Sequence, residues 1–332
     1  MSSDIRHAVT DEGVMLPVID VTHPAFSAVP GDEEIRALER AFIDSEKRRK
    51  RMPKLVGKLL MRILLRKSVL ARSLQRASGS FLAGMHTYLF KLGPEHLGDW
   101  ADPIDRKIAA ALPAVSIRLR LRDMAELLAE ALGPALEAQA GRPLLLLNVG
   151  GGPCIDSLNA LLILRRDRPS VLDGRRVRIV ALDLQSAGPS FGVRALAALQ
   201  QDGGPLAGVE VSVHHVPYDW SHVDSLAPLV APYQEPSALI AVSSEGALFE
   251  YADDATVAAN LRALAALTPP DTTFVASATS DGETATYLQR TSPVKLRPRS
   301  IAALESLVGQ AGWRITKLIE RPMCRDVRLQ KA

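Results

Sequence analysis

Apolar and polar positions along the chain fall into two textures. From Asp32 to about Leu136 apolar residues keep a helical spacing, broken at Pro53, Gly79, Gly93-Pro94, Pro103 and Pro113, with no strand-like alternation between the breaks. Spacing of three and four residues puts such positions on one face of successive helices. After Ala138-Gln-Ala-Gly-Arg-Pro143 the texture changes. Short apolar runs now alternate with helical stretches, as strand–helix units of a parallel sheet do. Strands are expected at 144–149, 177–182, 209–216, 238–242 and 273–278, with helices at 155–166, 191–201, 224–229, 254–267 and 301–310. Two last segments, 313–320 and 324–330, flank Arg321-Pro322 and read as an antiparallel hairpin. The first thirty residues, punctuated by Pro17, Pro24 and Pro30, show no sustained period and read as an arm. The expected fold is therefore α/β, a mostly parallel seven-stranded sheet with a terminal antiparallel hairpin, preceded by a helical region. The expected division is an arm at 1–30, a helical cap and substrate region at 31–140 and a ligand-binding sheet domain at 141–332.

Composition narrows the function classes only a little. A formal charge of +3 does not by itself point to nucleic acid. Cys154 and Cys324 make neither a disulfide framework nor a zinc-like spacing, so no metal is expected and the cytoplasm is the simplest setting. No run approaches the roughly 20 apolar residues of a membrane span, and Met1–Asp20 lacks the basic and apolar segments of a signal peptide. One local bias stands out. Residues 46–76 hold twelve Lys and Arg against one acid, interleaved with Leu55, Leu59, Ile63, Val69 and Leu70. Such a stretch is either a surface helix packed by its apolar face or a peripheral contact with an anionic membrane. The charge balance of the whole chain gives no clear case for nucleic acid. A homodimer stays open.

Candidate chemistry gathers at the predicted strand ends. Gly150-Gly151-Gly152 follows the first strand of the sheet region and precedes a helix. Glycines there allow positive φ and close backbone approach, and a helix start offers free N–H groups to polar ligand atoms. Asp183 ends the second strand, where a carboxylate can take both ribose hydroxyls of a nucleotide, with Gln185 able to share the role. A dinucleotide-type Gly-x-Gly-x-x-Gly would need glycine at 155, where Ile155 stands, which disfavours an NAD-type oxidoreductase. His215, His222 and Glu245 lie near strand C-termini and are the candidates for a base. Tyr251 and Tyr287 are candidate substrate contacts. The polar stretch Thr279–Arg299, read as a loop, ends in Lys295, Arg297 and Arg299 and forms a candidate substrate wall that favours an acidic molecule.

Asn148-Val149-Gly150-Gly151-Gly152-Pro153-Cys154, with acids falling near the later strand ends, resembles class I S-adenosylmethionine-dependent methyltransferases. Asn148 stands where that pattern has an acid, and Cys154 where it has a third glycine. The resemblance implies S-adenosyl-L-methionine as cofactor and a Rossmann-like sheet ending in a hairpin. It implies that Asp219 accepts from the adenine amino group, while Tyr218 or Trp220 stacks on the ring. Val242-Ser-Ser244-Glu245-Gly246-Ala-Leu-Phe-Glu-Tyr251 is distantly similar to the leucine carboxyl methyltransferase family. That kinship puts Ser244 and Glu245 beside the cofactor. It also implies a carboxylate clamp from the helix before the glycine strand, here Arg118, Arg120 or Arg122. The function so implied is methyl transfer to oxygen or nitrogen of a small molecule. A catalytically degenerate methyltransferase-like scaffold is the alternative that Asn148 and Cys154 raise.

Overall fold

The computed structural model describes residues 4–77 and 82–332; the break expected at Gly79 lies outside the described residues. Two strands, β1 (His7–Val9) and β2 (Met15–Pro17), form a separate hairpin. The main sheet holds β3 (Leu144–Val149), β4 (Val177–Leu182), β5 (Val211–Val216), β6 (Leu239–Ser244) and β7 (Thr273–Thr279). It ends with β8 (Trp313–Glu320) and β9 (Cys324–Lys331). The seven strands run in the order β5-β4-β3-β6-β7-β9-β8. Pairing is parallel from β5 to β7, and β9 runs antiparallel to both β7 and β8. The fold is therefore the Rossmann-like mostly parallel sheet with the terminal antiparallel hairpin that the alternating texture implied.

β3 shows why this chemistry makes this sheet. Every residue of Leu-Leu-Leu-Leu-Asn-Val is buried, as expected of a central parallel strand covered on both faces. Its side chains alternate between the two layers. Leu144 and Leu146 join one apolar cluster, and Leu145, Leu147 and Val149 the other. The first cluster also takes in Leu121, Met124 and Leu128 of the helix Leu112–Ala138 and Leu16, Val18, Ile19 and Val21 from the N-terminal segment. The chain steps outward from β3 to β4 and β5, then returns to the other flank of β3 with β6. Open α/β sheets bind ligands at that reversal, beyond the strand C-termini.

The structure departs from the sequence expectations at a few places. The segment read as an arm contains the β1–β2 hairpin, closed by a turn with φ +80 at Gly13. Three-residue strands are too short to display a period. The helix after β4 starts at Ala187 rather than Phe191, because Gly188 and Pro189 read as loop residues but sit in its first turn. The stretch Thr279–Arg299 carries a helix, Glu283–Thr291, that packs beside the helix Asp32–Arg51 through a Thr284–Glu39 hydrogen bond of 3.1 Å. Among the described residues no helix is long and apolar enough to cross a membrane.

Candidate functional site

A cavity of about 310 Å³ opens beyond the C-terminal ends of β3, β4, β5 and β6. Gly150, Gly151 and Gly152 form its floor, with Asp183, Tyr218, Asp219, Trp220 and Glu245 around it. Its far wall is helical, from Gly84, Thr87 and Lys91 of the helix Gly84–Lys91 and Arg120 of the helix Leu112–Ala138. Glu250, Tyr251, Lys295 and Arg297 complete the lining.

The glycine loop is shaped by what surrounds it. Gly150 has φ +64, and a Cβ there would lie 2.3 Å from the Ala247 Cβ and 3.1 Å from the Trp220 ring. Gly152, with φ +49, would bring a Cβ to 2.9 Å from the Gly84 Cα. Both departures from the familiar glycine pattern now have a physical account. Cys154 holds φ +53, the left-handed conformation that glycine adopts freely and other residues at roughly 1–2 kcal/mol. Asn148 is buried and bridges to the next helix, donating to Asp156 at 2.7 Å and accepting from Ser157 at 2.8 Å. Asp156, the second residue of that helix, thus sets a buried carboxylate beside Asn148, behind the cavity lining and not in it. Burial, then the nearby Glu245 charge, raises the Asp156 carboxyl to about 6.

Asp183 sits at the end of β4 and accepts from the Gly152 amide at 2.8 Å and the Gln185 amide at 2.8 Å. Burial raises its carboxyl above the ordinary range, and those two amides work against the rise. The Gln185 side chain is exposed and outside the lining. Asp219 accepts from the Ser221 amide at 2.9 Å and is held low by the Ser221 hydroxyl and amide. Trp220 is half-buried against the glycine loop.

Opposite the glycines lies a buried ion network. Lys91 Nζ is 2.7 Å from Glu245 Oε2, Arg120 Nε is 3.7 Å from Glu245 Oε1, and Arg120 Nη1 is 2.6 Å from Glu250 Oε1. Burial works against the Arg120 charge, yet Glu250 and Glu245 outweigh it and hold the guanidinium protonated. Burial raises the Glu250 carboxyl, with Arg120 opposing. Gly246, at φ +70, lies flat against that guanidinium, and a Cβ would come within 2.4 Å of it. Cationic Lys91, Arg120, Lys295 and Arg297 in the described lining are matched by Asp183, Asp219, Glu245 and Glu250, so the wall carries no excess positive charge.

No protein-family model matches the chain. No curated protein matches it in sequence. Among solved structures, a possible exported protein from Bordetella parapertussis is similar at TM-score 0.59 and 19% identity, over 90% of this chain and 96% of its own. That likeness is one of fold. At TM-score 0.40 and 16% identity lies N,N-8-amino-8-demethyl-D-riboflavin dimethyltransferase from Streptomyces davawensis, over 70% of this chain and 60% of its own. A Burkholderia thailandensis 1,6-didemethyltoxoflavin-N1-methyltransferase gives TM-score 0.36 and 20% identity, over 62% of this chain and 78% of its own.

Of the three candidate arginines, the structure brings only Arg120 to this cavity. Arg118 instead donates to the Ala109 carbonyl at 2.7 Å, and Arg122 to the Ser27 and Val21 carbonyls at 2.8 and 3.0 Å. Residues at i and i+4 share a helix face, so these two turn together away from the cavity, Arg122 to the N-terminal segment and Arg118 to Ala109, and the middle one turns toward it. His215 lies behind the lining, its Nε2 2.8 Å from the Asp183 carbonyl oxygen. His222 is 77% exposed beside Asp219. Ser244 is buried and accepts from the Leu248 amide at 3.3 Å. Tyr251 lines the cavity; Tyr287 is half-buried and outside it. Lys295 and Arg297 reach the wall, whereas Arg299 is buried and tied to Ala252 and Asp254. Sequence reasoning missed Lys91 and Glu250. Lys91 is 154 residues from its partner, and an acid inside an apolar signature gives no signal of its own.

Proposed function

We propose that the chain is an S-adenosylmethionine-dependent methyltransferase acting on an oxygen or nitrogen of a small molecule. The observation that carries this reading is one cavity into which four successive strand ends deliver glycines, Asp183, Asp219 with Trp220, and Glu245. The residues fit the cofactor. The glycine loop leaves a surface without side chains, and Asp183 offers a carboxylate to ribose hydroxyls. Asp219 would accept from an adenine amino group and Trp220 would stack on the ring. The paired Lys91, Glu245 and Arg120 place cations beside an anion, which is the charge pattern of an amino acid's carboxylate and ammonium. This favours Arg120 as the clamp that kinship with the leucine carboxyl methyltransferases implies.

When bound, the cofactor supplies a methyl group on a sulfonium, ready for in-line displacement. The chain's own share is to hold the acceptor in line and to exclude water. An acceptor hydroxyl must also lose its proton. Glu250 is the group placed for that task, since it lines the cavity and its raised carboxyl leaves the carboxylate a stronger base than an exposed glutamate. Both glutamates face cations, Glu245 Lys91 and Arg120, and Glu250 the Arg120 guanidinium at 2.6 Å; burial raises the Glu250 carboxyl in spite of that partner. The degenerate scaffold is the alternative reading, and the binding test below decides between the two.

The test is calorimetry with S-adenosylmethionine, S-adenosylhomocysteine and NAD(H), on the parent chain and on Asp183→Ala. Binding of the first two alone, weakened roughly 10- to 100-fold by the substitution, is the expected outcome. Binding of NAD(H) instead would turn the reading to an oxidoreductase, and no binding at all to a scaffold.

The contact of residues 46–76 with an anionic membrane is a separate proposal. It rests on Leu55, Val56, Leu60 and Ile63, all exposed on the helix Lys54–Lys67 beside Arg62, Arg66 and Lys67. Flotation with anionic vesicles, lost as salt is raised, is the expected result; no flotation at low salt would refute it.

A further inference from the structure

A second cavity, of about 520 Å³, adjoins the first and shares Leu82, Thr87, Arg120, Glu250 and Tyr251 with it. Its other walls come from the helical region and the segment after β7, and include Phe42, Leu65, Phe90, Ile117, Leu296 and Met323. Protein interiors pack densely, with few voids larger than a water molecule. A space this size falls inside the range of small-molecule sites, roughly 300–1,000 Å³. The charged side chains among its described lining are Glu46, Arg49, Arg120 and Glu250. They pair off, Arg49 with Glu46 at 2.7 Å and Arg120 with Glu250 at 2.6 Å. A charged occupant would find no unmatched partner there and would lose its hydration, which is expensive in an apolar site.

We propose that this cavity binds the methyl acceptor, and that the acceptor is an uncharged, mainly hydrocarbon molecule with one small polar end. The polar end belongs at the shared wall, against Glu250, Tyr251 and Thr87, polar residues that line both cavities. The hydrocarbon body lies among the helices. Naming this molecule the acceptor rests on the methyl-transfer reading; the affinity of the cavity for hydrocarbon does not.

The experiment is calorimetry of the full chain with a series of 4-n-alkylphenols, and with n-alkanoic acids of matching length, each without cofactor. Affinity for the phenols should rise roughly three- to fourfold per added methylene until the cavity is filled. The ionised acids should bind at least about tenfold more weakly. An affinity that ignores chain length, or a preference for the acids, overturns the inference. Leu64 also lines the cavity, from a half-buried position on a surface helix. Leu64→Glu should lower phenol affinity about tenfold or more, with S-adenosylhomocysteine affinity and thermal midpoint unchanged. If Leu64→Glu does not fold, Leu64→Gln is expected to act in the same direction; phenol affinity untouched by a folded variant refutes the site. S-adenosylhomocysteine binding without chain-length dependence would overturn this cavity's role and leave the methyltransferase reading standing. Chain-length dependence without cofactor binding would leave a hydrocarbon site and overturn its assignment to the acceptor.

Discussion

The two adjoining cavities are built on opposite principles. The first stands on strand ends and a glycine loop, and its character is set by single residues: a carboxylate at 183, another at 219, an ion network joining Lys91, Glu245, Arg120 and Glu250. The second stands between helices, and its character is set by the sum of many interchangeable apolar side chains. A polar site is broken by changing one group, because its buried partner is then left unpaired. An apolar site yields gradually, by volume and area.

The sharpest test of this contrast is at Glu250, which belongs to both cavities. Glu250→Gln should lower kcat/KM roughly 10²- to 10⁴-fold if the carboxylate takes the acceptor proton. Because burial raises this carboxyl, the parent enzyme should lose activity as pH falls through a value above the roughly 4.3 of an exposed glutamate. The variant should lose that acid limb. A profile that keeps the limb would remove Glu250 from proton transfer.

Asp156 comes next. Its folded carboxyl is raised from 3.8 to about 6, so the native state binds a proton more tightly than the unfolded chain. Its stability contribution is full below pH 4 and is lost as pH rises through about 6. Relative to Asp156→Asn, the parent should therefore lose on the order of 3 kcal/mol of unfolding free energy across that window. Denaturant melts of the two proteins at several pH values read this directly, and parallel curves would count against it.

Trp220→Ala should weaken S-adenosylhomocysteine binding roughly two- to tenfold, the scale of one aromatic stacking contact. An unchanged affinity would make the indole part of the loop packing and no more. The smallest expected effect is at Arg122, bound to the carbonyls of Val21 and Ser27. Arg122→Lys should leave cofactor affinity within about twofold while lowering the thermal midpoint slightly. A large affinity loss there would mean that the clamp had been placed on the wrong arginine.

Much of the sheet was legible because burial on both faces forces long apolar runs, as in Leu144–Val149. The helix Asp254–Leu267 falls at the bounds its apolar spacing implied, and the structure shows its start capped by Asp253, which accepts from the Thr256 amide at 2.8 Å. The helix Glu283–Thr291 was hidden in a polar stretch because, among its described side chains, burial is confined to Thr284 and Ala285. Three arginines two residues apart could be sorted into one lining residue and two structural ones only once their helix had neighbours on each side.

The sequence by itself determined the layers, the strand–helix order and the strand-end positions of Gly150–Gly152, Asp183, Asp219 and Glu245. Those follow from local periodicity and from turn chemistry, which each segment carries within itself. The tertiary structure alone decided that Lys91 meets Glu245, that Asn148 ties back to Asp156, and that helices from the first half of the chain enclose an apolar space beside the polar one. Such pairings join residues far apart in the chain, and no local pattern records which faces will meet.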